Sequence, residues 1–269
     1  MMKRLEEKIA IVTGSAQGFG EGIARVLSEH GANVVIADLN YELAKKTAES
    51  MGALAAQVDV TNEKQVENLV DETLKHFGRL DIFISNAGVL RAGSLEEMTL
   101  ETFELVTKVN YTAFFICAKY ASAAMKRQRK LHPDRTFDII EINSKSGLEG
   151  SNRNFAYAGS KFGGIGLVQS FAKELVDDGI KVNAICPGNY FEGPLWSDPE
   201  NGLFVQYMKA GKIPNAQNIA DVRKFYESKV PMNRGCTPLD VARAILYCVE
   251  QQYETGQAIP VTGGQSMLK

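Results

Sequence analysis

The chain has 269 residues, 45% of them hydrophobic, with a net charge of −2, 4 cysteines and 3 histidines. That length fits one large α/β domain, and the hydrophobic content is too high for a disordered chain. The near-neutral balance recruits neither nucleic acid nor an anionic membrane, and the scattered cysteines and histidines lack metal-ligand spacing, so no metal site is expected.

Short β-branched runs alternate with longer amphipathic ones, which predicts a parallel sheet covered by helices on both faces. The start, Met1-Met2-Lys3-Arg4-Leu5-Glu6-Glu7, lacks the apolar stretch of a secretory signal. With no run long enough to span a bilayer, a cytoplasmic protein with reduced thiols is expected. Residues 8–13 read as the first strand, running into Gly14-Ser15-Ala16-Gln17-Gly18-Phe19-Gly20 and a helix near 18–30. Glycines let the backbone approach a pyrophosphate, whose charge the helix N-terminus stabilises. The second strand, 33–38, ends on Asp38, placed to accept hydrogen bonds from an adenosine ribose and to repel a 2′-phosphate. Neither Ser15 nor Ala16 offers positive charge for such a phosphate, so NAD is expected over NADP.

A helix near 41–51, a strand at 53–58, a helix near 62–77 and a strand at 80–85 follow, then a long helix at 101–128 and a strand at 137–143. A helix at 156–178 carries Tyr157 and Lys161, and strands at 181–186 and 258–261 flank a helix at 238–250. Residues 189–230 break the rhythm with scattered Gly and Pro, and are expected to form a mobile excursion with two short helices that acts as a lid over substrate. Its rings, Trp196 among them, are expected mainly to anchor it.

Positions i and i+4 share a helix face, so Tyr157 and Lys161 point into one space. A cation near a phenol favours phenolate, lowering the phenol pKa from about 10 towards a useful range. A tyrosine tuned that way exchanges a proton with an alcohol oxygen near neutral pH. The chemistry indicated is alcohol–carbonyl interconversion.

Taken in order, these motifs resemble the short-chain dehydrogenase/reductase family over essentially the full length. The resemblance implies a doubly wound parallel sheet of about seven strands, a Rossmann fold in a single domain. Gly14, Gly18 and Gly20 follow the family's Gly-x-x-x-Gly-x-Gly spacing. Asp59-Val60 resembles the pair that contacts adenine, Asn86-Ala87-Gly88 the segment shaping the cofactor pocket, and Pro187-Gly188 the turn beside the nicotinamide. Asn110, Ser144, Tyr157 and Lys161 match the catalytic tetrad, in which Asn110 holds a water and Lys161 also binds the nicotinamide ribose. Read as plain residues, Asn110 has the alternative of bonding helix backbone, and Asn143 departs from the serine frequent in relatives. The family also implies a homotetramer.

Within that family, Ile142-Asn143-Ser144-Lys145-Ser146-Gly147, the run after Lys161, Gly188-Asn189, and the run from Lys229 to Cys236 resemble a smaller group, the bacterial sorbitol-6-phosphate 2-dehydrogenases. A phosphorylated polyol needs cations and hydrogen-bonding groups around it. Lys145, Arg153, Lys229 and Arg234 are the candidate phosphate cations, and Asn189 the candidate hydroxyl partner. The alternatives are an NAD-dependent dehydrogenase of another sugar, polyol or hydroxy-aldehyde, an epimerase or dehydratase, and a non-catalytic NAD-binding scaffold.

Overall fold

Seven parallel strands in the order β3-β2-β1-β4-β5-β6-β7 form one sheet in the computed structural model, which describes residues 3–209 and 213–267. The strands are β1 (Ile9–Thr13), β2 (Asn33–Asp38), β3 (Leu54–Gln57), β4 (Ile82–Ser85), β5 (Phe137–Ile142), β6 (Ile180–Pro187) and β7 (Ala258–Val261). They match the seven expected, with half of the ends shifted by one or two residues.

Side-chain alternation assigns the two faces. Ile11, Val35, Phe83, Ile139 and Val182 join one core, and Val12, Val34, Ile36, Ile82 and Ile140 the other. Helices α3 (Glu63–Phe77), α5 (Ala113–Leu131) and α6 (Phe155–Leu175) cover the first face. Helices α1 (Gly18–Glu29), α2 (Tyr41–Glu49) and α10 (Pro238–Glu250) cover the second. Local signals fix their ends. Asn62 caps α3, which stops at left-handed Gly78, and Thr237 with Asp240 forms a capping box before α10. Burial of each large side chain such as Phe83, Phe114 or Phe137 contributes about 1.5–3 kcal/mol.

The long helix expected at 101–128 is interrupted. Helix α4 (Leu100–Thr107) passes through a π turn, Lys108–Thr112, into α5. Strand order reverses between β1 and β4, which opens a crevice at the carboxyl ends of the sheet. The excursion holds three short helices among the described residues, not two: α7 (Pro194–Ser197), α8 (Leu203–Lys209) and α9 (Ile219–Ser228). Residues 210–212 of the excursion lie outside the described residues. Phe191, Trp196, Phe204, Tyr207 and Val222 give it a small core of its own, against which Tyr157 packs.

Candidate active site

A cavity of about 1260 Å³ runs along the carboxyl edge of the sheet from Asp38 to Lys229. At one end lies the glycine turn. Gly14 is left-handed, with φ +63, and a Cβ there would sit 2.8 Å from the Ala87 backbone. A Cβ on Gly20 would sit 2.2 Å from the Gly14 carbonyl oxygen. A side chain at Gly14 would push the turn off the segment after β4, and one at Gly20 would push turn and helix apart. No side chain caps α1, which leaves its first-turn amides open to an anion. Asn86 Nδ2 donates to the Thr13 and Gly14 carbonyls, both at 2.9 Å, and thereby pins β4 to the turn.

Gln17, Gly18, Phe19, Asp38, Asp59, Val60, Asn86, Ala87, Gly88, Pro187 and Gly188 all line the cavity. Ser15 does not. Its hydroxyl donates to the Val12 carbonyl at 2.6 Å and accepts from Ala37 N–H at 3.1 Å, so its side chain joins β1 to β2. The Asp38 carboxylate accepts from the backbone amides of Ala16 and Asn40, each at 3.0 Å. It therefore braces the turn while facing the cavity.

The floor is built by the end of β5 and by α6. Lys161 Nζ lies 5.9 Å from the Tyr157 ring centroid and donates to the Ile142 carbonyl at 2.8 Å. The Ser144 hydroxyl accepts from Ser146 N–H at 3.1 Å, which leaves its own proton free to point into the cavity. Glycines let α6 approach this closely: a Cβ on Gly163 would meet the Tyr111 ring at 2.8 Å. Each costs about 1 kcal/mol of helix propensity, which the close packing offsets. Tyr190, Tyr207 and Tyr226 also line the cavity, but burial pushes each of their phenols up, so they stay protonated.

Asn110 sits beneath the cavity wall, in the π turn. Its amide oxygen accepts from Val89 N–H at 2.8 Å, and Nδ2 donates to the Val89 carbonyl at 2.9 Å and to Ser160 Oγ at 3.2 Å. Both amide protons are committed, to the loop carbonyl of Val89 and the Ser160 hydroxyl rather than to helix backbone, so this side chain fixes the wall.

At the substrate end, Lys145, Asn189 and Lys229 line the cavity as expected. Burial holds the Lys145 ammonium below the ordinary lysine value; Glu149, 3.8 Å away, opposes that and Lys229 adds to it. Lys229 Nζ lies over the Phe225 ring, 4.3 Å from its centroid. The other two cations do not reach the cavity. Arg153 turns outward on a left-handed backbone to an ion pair with Glu97 at 3.8 Å. Arg234 forks onto Asp240 at 2.6 and 3.0 Å.

A family model for the short chain dehydrogenases matches residues 8–195. The chain is a short-chain dehydrogenase/reductase. It is 33% identical over 271 residues to sorbitol-6-phosphate 2-dehydrogenase of Escherichia coli, covering 97% of this chain and 99% of that protein. It is 35% identical over 272 residues to secoisolariciresinol dehydrogenase of Forsythia intermedia, covering 98% and 91%. The crystal structure of sorbitol-6-phosphate 2-dehydrogenase SrlD from Erwinia amylovora superimposes with a TM-score of 0.88 at 35% identity, covering 96% of this chain and all of that one. Short-chain dehydrogenase/reductases are oxidoreductases that generally use NAD or NADP.

Arg91 escapes the motif reading of this dehydrogenase/reductase, and Asn154 and Asn143 make contacts that reading does not assign. Arg91 lines the cavity, its guanidinium donating to the Leu90 carbonyl at 2.9 Å. Asn154 also lines it, with Nδ2 donating to the Tyr207 hydroxyl at 3.2 Å and a buried Oδ1 that has no hydrogen-bond partner. Asn143, the departure from the family serine, donates to the Lys161 carbonyl at 2.9 Å and accepts from Ser144 N–H at 2.8 Å. It bolts the serine to the lysine's helix. No helix among the described residues is long and apolar enough to cross a membrane.

Proposed function

We propose that this oxidoreductase interconverts the secondary alcohol of sorbitol 6-phosphate and the ketone of fructose 6-phosphate, with NAD as its cofactor. The observation that carries the reading is the pair of cations, Lys145 and Lys229, lining a cavity whose reactive end is Ser144, Tyr157 and Lys161. A phosphate gains charge-assisted hydrogen bonds there, close to the serine that would orient the reacting oxygen. The name of the Escherichia coli relative supports the same substrate.

The glycine turn, cleared of side chains between Gly14, Gly20 and Ala87, fits a pyrophosphate, and the cavity volume exceeds what a small substrate alone needs. When bound, the nicotinamide supplies the hydride acceptor for oxidation and the donor for reduction. Gly14, Gly18 and the first-turn amides of α1 would hold its pyrophosphate, with Asp38 at the adenosine ribose and Asp59-Val60 at the adenine. Asp38 favours NAD because its carboxylate would repel a 2′-phosphate, and Leu39-Asn40 beside it carries no positive charge.

In oxidation, Tyr157 takes the substrate hydroxyl proton onto its phenolic oxygen. The Lys161 ammonium stabilises the phenolate that accepts it, and Ser144 donates a hydrogen bond to the reacting oxygen. In reduction Tyr157 returns the proton. Residues 189–230 would close over the substrate and exclude water. Exposed Phe103, Phe115 and Phe162, on α4, α5 and α6, support a homotetramer assembled through those helices.

A second reading is an NAD-dependent dehydrogenase of an unphosphorylated sugar or polyol. Asn152, Asn154 and Asn189 line the cavity, and their amides recognise hydroxyls without any phosphate. Initial rates with NAD or NADP decide between them, using sorbitol 6-phosphate, free sorbitol and, in reverse, fructose 6-phosphate. The proposal expects kcat/KM to favour the phosphorylated pair and NAD. Equal rates on free sorbitol would move the assignment to the second reading.

A further inference from the structure

The lysine on the cavity floor has a buried counter-charge that the chemistry above does not use. Glu141 sits in β5 opposite Ser85 and Ala184 of the neighbouring strands, is 1% exposed, and does not line the cavity. Its neighbours along the strand, Ile139, Ile140 and Ile142, are what a buried strand calls for, and a carboxylate among them is costly unless paired. Oε2 accepts from Asn143 Nδ2 at 2.8 Å. Oε1 has no hydrogen-bond partner and lies 4.0 Å from Lys161 Nζ.

Helix α6 is notched to admit this carboxylate. A Cβ on Gly164, three residues after Lys161 and on the same helix face, would sit 2.3 Å from Oε1. The same ammonium stands over the Tyr157 ring. Carboxylate, ammonium and phenol thus form a line from the sheet interior to the cavity.

We propose that Glu141 is a positioning residue that sets, by partly offsetting the charge of Lys161, how strongly the ammonium favours the Tyr157 phenolate. The inference rests on the acid–base reading of Tyr157 and Lys161 given above. A carboxylate behind the ammonium weakens the field it projects onto the phenol.

The groups packed around Glu141 leave this pair in control. Burial pushes the Glu141 carboxyl up, while Lys161 and the Asn143 amide pull it back down. From β6, the Cys186 thiol is pushed up to about 12, by burial first and Glu141 second. Behind Ser85, burial pushes the Cys117 thiol of α5 up to about 12 as well. Neither thiol charges near neutral pH. Tyr111 of the π turn packs on Gly163, and Tyr157 and Lys161 complete the α6 side.

The test needs no substrate. Tyrosinate absorption is followed against pH in ligand-free protein and in Tyr157→Phe, so that their difference isolates Tyr157, and the pair is repeated with Glu141→Gln. The amide keeps the Asn143 hydrogen bond and removes the charge. The Tyr157 ionisation midpoint should fall by about half a unit to one unit, and the acid limb of kcat/KM for alcohol oxidation should move down with it. An unchanged or raised midpoint overturns the proposal. Glu141→Asp keeps the charge but retreats from Lys161; it should shift the midpoint the same way by less, and it decides the matter alone if Glu141→Gln does not fold. Turnover retained in Tyr157→Phe would instead remove the acid–base reading, with the midpoint comparison still judging Glu141.

Discussion

On the floor of the cavity, Lys161, Asn143 and Ser144 are held by hydrogen bonds of 2.8–2.9 Å to each other or to the end of β5. Over it, the described residues of 189–230 pack a cluster of rings: Phe191 on Trp196 at 5.1 Å, Trp196 on Tyr226 at 5.0 Å, Tyr207 on Tyr226 at 5.4 Å. Hydrogen bonds are directional and weaken steeply when bent, so the floor fixes atoms to within tenths of an ångström. Ring packing tolerates sliding and substitution at modest cost. Under the function proposed above, the floor would dictate which bond reacts, and the roof which molecule is presented to it.

That contrast can be broken at several points. The largest effect should come from the floor: Tyr157→Phe is expected to lower kcat by about 10²–10⁴-fold while NAD binding, read by calorimetry, persists. Retained turnover would mean the proton moves by another route. Next, Lys145→Ala or Lys229→Ala should raise KM for sorbitol 6-phosphate roughly ten- to hundredfold with little change for free sorbitol. Arg234→Ala, whose guanidinium is spent on Asp240, serves as the comparison with no such selectivity. If all three behaved alike, the roof and its rim would have no phosphate-reading role.

The smallest effect lies at the far end of the floor's own strand. Burial pushes the Asp138 carboxyl from 3.8 up to about 6, in spite of Lys181 at 3.0 Å. A carboxyl that holds its proton more tightly when folded contributes stability fully present below its unfolded value and lost as pH rises through about 6. Tm should therefore carry a decline between about pH 4 and pH 6, and Asp138→Asn should flatten it. A slope identical in the variant would place the loss in another group.

The same divide governs what could be read from sequence. Gly14, Gly18 and Gly20, Tyr157 with Lys161, and the short β-branched strands are set by local geometry, which the sequence records directly. Cations were harder, because a cation's role depends on its partner. Arg153 and Arg234 carry the charge a phosphate needs, but Glu97 and Asp240 claim them, whereas Arg91 follows the Asn86-Ala87-Gly88 motif without any pattern to mark it. Glu141 passes unnoticed because one acid in an isoleucine-rich strand has no periodic signature; only the packing of Gly164 against it reveals a fixed partner. Ser15 looked like part of a cofactor loop because sequence cannot tell which way a hydroxyl points.

The π turn at Lys108–Thr112 carries a consequence for how this protein can change. An inserted residue offsets everything downstream by about 100° of helix rotation, and the turn absorbs that offset. Deleting one residue there would give a more regular helix from Leu100 to Leu131. It would also roll Phe114, Cys117 and Ala121 off the sheet, or else swing Asn110 away from Val89. The irregularity is a phase adjuster between the wall of the cavity and the core beneath it. Single-residue indels in that stretch should be purged even where they improve the local helix.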